Sequence, residues 1–184
     1  MAKIMKVTAG AACLVALLSA LLYSHYGYGV LLTLAVTFGT VGYHFCIRLF
    51  VGLIFNSVMK NRADYTKRWF RTGKIEMAVY KKLNVKKWKN ILPTYNSSFF
   101  DASLHSPEEI AGAMCQAELV HETIILFSFL PTVASIWFGA LPVFVVTSVI
   151  AACIDGLFVV IQRYNRPRVV ELIRRRKKKQ THCR

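Results

Sequence analysis

Four apolar stretches, set apart by polar or charged segments, constrain this chain more than any other feature. They fall at about 7–23, 29–59, 119–138 and 143–161, and each is close to or above the roughly 20 apolar residues that span a bilayer's hydrocarbon. Charge is sorted around them. Of 24 Lys and Arg, all but Arg48 lie at the N-terminus, between Lys60 and Lys89, or from Arg163 onward. The turns at Ser24–Tyr28 and Gly139–Pro142 carry none. The positive-inside rule then predicts that both termini and the middle segment are cytoplasmic and that the two turns are external. The expected fold class is all-α: a polytopic integral membrane protein with four transmembrane helices, a cytoplasmic amphipathic segment at 60–117 and a basic tail at 163–184, in one membrane domain.

A composition that is 55% hydrophobic with a net charge of +15 fits no ordinary soluble domain. Flanking membrane spans, that charge points to the anionic headgroups of the inner leaflet, at about 1 kcal/mol per surface Lys or Arg. Nucleic acid is not an expected partner, since no recognition fold remains outside the spans. The five cysteines, Cys13, Cys46, Cys115, Cys153 and Cys183, are odd in number and widely spaced. They form no disulfide framework and no CxxC metal pair, and read as small buried hydrophobes. Lys3 and Lys6 before an apolar core resemble a signal peptide, but Ser19 and Ala20 offer a weak cleavage site. A retained first span is expected.

Between the spans, Tyr65, Trp69 and Phe70 alternate with Lys67, Arg68, Arg71 and Lys74, a pattern expected of a helix lying on the inner leaflet. Pro93 ends any helix reaching it, and Thr94 to Ser98 reads as a polar turn. Ser106-Pro107-Glu108-Glu109 combines an N-cap serine, a first-turn proline and a capping-box glutamate. With no breaker before Pro131, this helix is expected to run into the third span without a joint. Arg48, within the second span, faces other helices or snorkels, and its expected role is structural.

Chemistry concentrates where the third and fourth spans meet the cytoplasm. Glu118, His121 and Glu122 share one helical face. A tight antiparallel hairpin about Ala140 sets Glu118 opposite Arg163, His121 near Val160, and Asp155 opposite Leu126, some 7–8 Å deeper at about 1.5 Å per residue. One reading is a set of ion pairs that lock the hairpin. The other is an active site, with His121 as general base, its tautomer held by Glu118 or Glu122, and Arg163, Arg166 and Arg168 holding an anionic donor. One His with two Glu on a single turn is a poor metal set, and no metal is expected.

Lys87-Trp88-Lys89-Asn90-Ile91-Leu92-Pro93, Ala117-Glu118-Leu119-Val120-His121 and Gln162-Arg163-Tyr164-Asn165-Arg166-Pro167-Arg168, in this order, resemble the glycosyl-4,4'-diaponeurosporenoate acyltransferase family over roughly residues 80–175. The resemblance implies transfer of a fatty acyl group to the sugar of a membrane-embedded glycosyl carotenoid, the last step toward staphyloxanthin-type pigments, in a bacterial cell membrane. The family usually has Trp after its His, where this chain has Glu122, and related chains can carry Asn at the position of Asp155.

Acyl transfer to a hydroxyl needs a base and a stabilised oxyanion. The catalytic expectation is therefore His121 with Glu118 and Glu122. Arg163, Asn165, Arg166, Arg168, Asp155 and Trp88 are expected to bind substrate, with Arg163 or Asn165 at the oxyanion. The expected donor is an acyl thioester, the acceptor a lipid-linked hydroxyl, and no further cofactor is called for. Two alternatives are a small membrane methyltransferase or reductase using a nucleotide cofactor, and a non-enzymatic lipid-binding or assembly protein.

Overall fold

The computed structural model describes residues 2–88, 100–139 and 141–182, and it is helical throughout, with no strand among them. The helices are α1 Ala2–Tyr26, α2 Gly29–Met59, α3 Lys74–Lys82, α4 Val85–Trp88, α5 Pro107–Phe127, α6 Ser135–Phe138 and α7 Leu141–His182. Four helical stretches, Lys3–Tyr26, Gly29–Met59, Pro107–Phe138 and Leu141–Thr181, are long and apolar enough to cross a membrane. The chain is a four-helix membrane protein, as its hydropathy predicts. The helix stop at Pro93, the turn at Thr94–Ser98 and Ala140 lie outside the described residues.

The chain divides into two compact units, Met1–Ile54 with Thr123–Ile154, and Phe55–Glu122 with Asp155–Arg184. In the first, α1 packs on α2 through small side chains. Ala9, Ala12 and Ser19 are buried, while Leu14, Leu17, Leu18 and Leu21 face outward. Gly42 lets Cys13 come so close that an added Cβ would sit 3.0 Å from its Sγ, and Gly39 faces Ala16. Large apolar residues outside and small ones inside are what lipid, rather than water, permits. Cys13 and Cys46 approach to 3.8 Å as free thiols. Of the described cysteines only Cys115 is buried; Cys13, Cys46 and Cys153 are exposed on apolar helices, where lipid makes burial unnecessary. Arg48 donates to the backbone oxygens of His44 and Ala151, at 2.7 and 3.3 Å, so its charge is spent on carbonyls within the helix layer.

The third span is not one straight helix. Pro131 has no N–H to give to the carbonyl four residues before it, and α5 stops there, at Phe127. The hydroxyl of Tyr43 donates to that carbonyl at 2.8 Å. A 3-10 turn follows at Leu130–Ala134 before α6.

The second unit is built on the start of α5. Its cap forms as the sequence predicts: Glu109 N donates to Ser106 Oγ at 3.2 Å and Ser106 N to Glu109 Oε2 at 2.8 Å. The helix then runs unjointed to Phe127. From Ile110 to Gln116 every residue is buried, and Ala111, Gly112, Ala113 and Cys115 among them are small enough for the chain to pack close. Asn61 and Ala63 lie against it. Asn61 N donates to Gln116 Oε1 at 2.7 Å, and a Cβ on Gly112 would stand 2.8 Å from the Asn61 carbonyl oxygen. Lys60 and Asn61, both in the left-handed region, turn the chain out of α2 to make this approach. Gly112→Ala is expected to destabilise the fold by about 1–3 kcal/mol, the usual range for overpacking, measurable as a lower midpoint of thermal aggregation in detergent.

The basic, aromatic stretch after Tyr65 departs from the expected surface helix. Asp64 Oδ1 accepts from Thr66 N at 2.9 Å and Thr66 Oγ1 at 2.7 Å, an Asx-type turn that competes with helix formation. Only Arg68–Phe70 forms a 3-10 turn. The carbonyls that a helix would have used accept hydrogen bonds from arginines of α7 instead.

Candidate active site

The site residues lie in the second unit and come from α5, α7 and the segment 68–80. At its centre Glu118 is fully buried and accepts from two guanidinium groups, Arg163 Nη1 at 2.7 Å and Arg166 Nη1. Arg166, itself 2% exposed, donates through Nη2 to the Phe70 carbonyl, with its guanidinium 5.1 Å from the centre of the Phe70 ring. Arg163 reaches further. Its Nη1 donates to the Trp69 carbonyl at 3.3 Å, and its Nη2 to the Arg71 carbonyl at 3.4 Å and to Glu76 Oε2 at 3.2 Å, while Nε bonds the other Glu76 oxygen. One buried and one half-buried arginine thus satisfy one buried carboxylate and pin an irregular segment by its backbone.

Helix α7 passes through Pro167 without ending. The proline deprives the Arg163 carbonyl of its helical donor, and Thr72 Oγ1 supplies a replacement at 3.0 Å. Asn165 Nδ2 donates back to Ile161 O at 3.1 Å, so its side chain is turned onto its own helix. Arg168 is exposed, lies over the Tyr164 ring at 4.6 Å and donates to the Tyr164 hydroxyl at 2.7 Å. Trp88 closes α4, whose buried residue is Val85; no hydrogen bond among the described residues ties Trp88 to the cluster.

His121 is held elsewhere than expected. Its Nδ1 lies 2.8 Å from Asp155 Oδ1, and its ring stacks on Phe158 with centroids 4.7 Å apart and 11° between planes. Asp155 is 1% exposed, whereas the His121 side chain keeps 23%. Two expectations are corrected here. Asp155 stands beside His121, not deeper opposite Leu126: the residue count assumed two straight helices meeting at Ala140, and the arm through Pro131 is broken. Glu118 does not orient His121, because both its oxygens are taken by Arg163 and Arg166. Where Asp155 Oδ1 is the acceptor of this bond, Nδ1 carries the hydrogen and Nε2 keeps its lone pair.

Glu122 is also claimed, by the indole of Trp69, whose Nε1 donates to Oε2 at 2.9 Å. Beside this pair opens a cleft of about 230 Å3 lined by Met59, Ala63, Asp64, Lys67, Trp69, Phe70, Leu119 and Glu122. Among the described residues no group of His, Cys, Asp and Glu has the arrangement of a metal site.

Sequence reading overlooked Glu76, Trp69 and Phe158. The signal for Glu76 was present: it is the sole acid between Thr66 and Lys89. Phe158 sits one helical turn from Asp155. The Glu76 carboxyl is held down to about 2, first by its hydrogen bond with Arg163 and then, against partial burial, by Tyr80 and the Gly73 amide. Tyr80, donating to Glu76 at 2.6 Å, is pushed up to about 12 by burial and by that carboxylate. A carboxyl lowered on folding stabilises the folded state above its unfolded value, and that contribution is lost as pH falls. Acid unfolding is therefore expected to steepen between pH of about 4.5 and about 2. Glu76→Gln should flatten the loss in that window, as read from helical circular dichroism against pH.

A profile of the glycosyl-4,4'-diaponeurosporenoate acyltransferases matches residues 66–175, more than half of the chain. The chain belongs to this family. The matched span contains every residue of the arginine cluster and of the His121–Asp155 pair. Members of the family are transferases of carotenoid biosynthesis, by the family's description. No curated protein matches the chain, and no solved structure does.

Proposed function

We propose that the protein transfers a fatty acyl group from an acyl thioester to a sugar hydroxyl of a lipid-embedded glycosyl carotenoid, with His121 as general base. The observation that carries this reading is the His121–Asp155 pair at 2.8 Å. A buried carboxylate fixes one ring nitrogen, an aromatic face fixes the ring plane, and the other nitrogen is left basic at a partly open position. His121 Nε2 takes the proton of the acceptor hydroxyl as its oxygen attacks the thioester carbonyl. The thiolate leaves, and the proton passes to it. Arg168, the most exposed of the three arginines, is assigned the anionic donor in this reading, supported by its exposure and by Arg163 and Arg166 giving their donors to Glu118, Glu76 and backbone oxygens. The test is turnover by folded His121→Ala protein in a reconstituted bilayer. A near wild-type rate would overturn the proposal.

The reaction is placed at the inner face of a bacterial cell membrane, with both termini cytoplasmic, because the Lys and Arg of 60–89 flank the spans on the site's side of the sequence. In a cysteine-free background, a membrane-impermeant thiol reagent applied from outside should label a cysteine at position 28 and miss one at position 84. The reverse pattern would move the site to the outer face.

A further inference from the structure

The cleft beside Glu122 borders the arginine cluster through Trp69 and Phe70, whose carbonyls accept from Arg163 and Arg166, and its lining is chemically divided. Met59, Ala63, Phe70 and Leu119 give an apolar floor, while Asp64, Lys67 and Glu122 give polar groups at its edge. Trp69 stands at the same edge and is 64% exposed. An indole so exposed is ordinarily free to turn, yet the 2.9 Å bond from Nε1 to Glu122 fixes it. The bond uses one of the two carboxylate oxygens. What results is a flat aromatic face of set orientation, with a carboxylate at its rim and a second carboxylate and an ammonium nearby.

That combination suits one ligand class. A hexose presents a face of C–H groups to an aromatic ring, where apolar contact and the ring's negative face both favour it. Around its edge it presents hydroxyls, each a donor and an acceptor. Carboxylates accept from these hydroxyls in strong charge-assisted bonds, and Lys67 donates to them. At about 230 Å3 the cleft has room for roughly eight waters, taking about 30 Å3 for each, which is the scale of one monosaccharide ring and too small for a whole glycolipid. Glu122 directly follows His121 on α5, so the two Cα atoms differ by about 1.5 Å along the helix axis and the cleft borders the turn that carries the base.

We infer that the cleft is the hexosyl subsite of the acceptor, with Trp69 as the stacking platform and Glu122, Asp64 and Lys67 as hydroxyl ligands. The inference rests on the acyltransferase reading for its acceptor but makes a binding claim of its own. Glu122 then binds substrate rather than orienting the base.

The binding experiment uses full-length protein in phosphatidylcholine vesicles in a Trp88→Phe, Trp137→Phe background, so that Trp69 alone reports. Fluorescence should change saturably as monoglucosyl diacylglycerol is added and stay flat with plain diacylglycerol. Glu122→Ala should weaken half-saturation about tenfold, and Glu122→Gln should recover part of it. Equal responses to both lipids, or an unchanged half-saturation in Glu122→Ala, would overturn the subsite.

The kinetic experiment uses Trp69→Leu, which keeps an apolar side chain and removes the platform. Its KM for the glycosyl acceptor should rise about tenfold with kcat within about twofold; an unchanged acceptor KM would count against the subsite. The two proposals fail separately. A glucosyl-specific response without acyl transfer by wild-type protein overturns the acyltransferase reading and supports the subsite. His121-dependent transfer without that response does the opposite.

Discussion

Glu118→Ala is expected to lose about 3–5 kcal/mol of stability, the range for breaking a buried ion pair from one side. The reason lies in what remains. Arg166 is 2% exposed and would keep its charge with no carboxylate beside it. Arg163 would lose one of its two acidic partners. Glu118→Gln keeps an acceptor oxygen and the shape, so it should lose less. The check is survival of monodisperse protein after heating in detergent, compared across the three proteins. Wild-type stability in Glu118→Ala would show that the two arginines find other partners and that the cluster is not what fixes segment 68–71 to α7. By its position on the face of α5, Glu118 fits either an ion pair that locks the hairpin or a helper of His121 whose loss slows chemistry. Its burial between two arginines makes its loss a matter of folding first.

His121→Ala should lower turnover by about 10² to 10⁴, the usual worth of general base catalysis, without the instability expected of Glu118→Ala. In the proposed mechanism Asp155 acts through His121 and is a positioning residue. Asp155→Asn keeps the volume, but its amide offers a donor as well as an acceptor and so no longer enforces one tautomer of the imidazole. It should therefore reduce kcat while leaving the acceptor KM unchanged. The double variant His121→Ala, Asp155→Asn should be little slower than His121→Ala, since groups acting as a unit are not additive. If the two losses instead multiply, or if Asp155→Asn changes stability and not kcat, the pair serves packing and not proton transfer.

Hydropathy and charge made the membrane fold legible, because spans depend on composition over about twenty residues and not on any particular contact. The start of α5 was legible too, since Ser106, Pro107 and Glu109 determine it locally. The pairing of Glu118 with Arg163 followed from counting along a hairpin. The same count misplaced Asp155, because Pro131 breaks one arm and a count cannot see a change of direction. The stretch around Trp69 was misread for a different reason. Its amphipathic pattern favours helix locally, but guanidinium groups from residues more than ninety positions away claim its carbonyls. No local propensity contains that information.

Pro167 and Thr72 are coupled through one carbonyl. The proline leaves the Arg163 carbonyl without an amide, and the threonine hydroxyl fills the gap. A chain with an ordinary amide at 167 has no use for a hydroxyl at 72, and a chain that loses the hydroxyl first strands a polar oxygen at a helix that must stay intact. Substitutions at the two positions are therefore linked in order as well as in kind: the proline can be replaced before the threonine, but not the reverse without a cost. Tyr43 and Pro131, joined through the Phe127 carbonyl, obey the same rule of succession in the other unit, so lineages diverging from this chain should lose each proline before its distant hydroxyl.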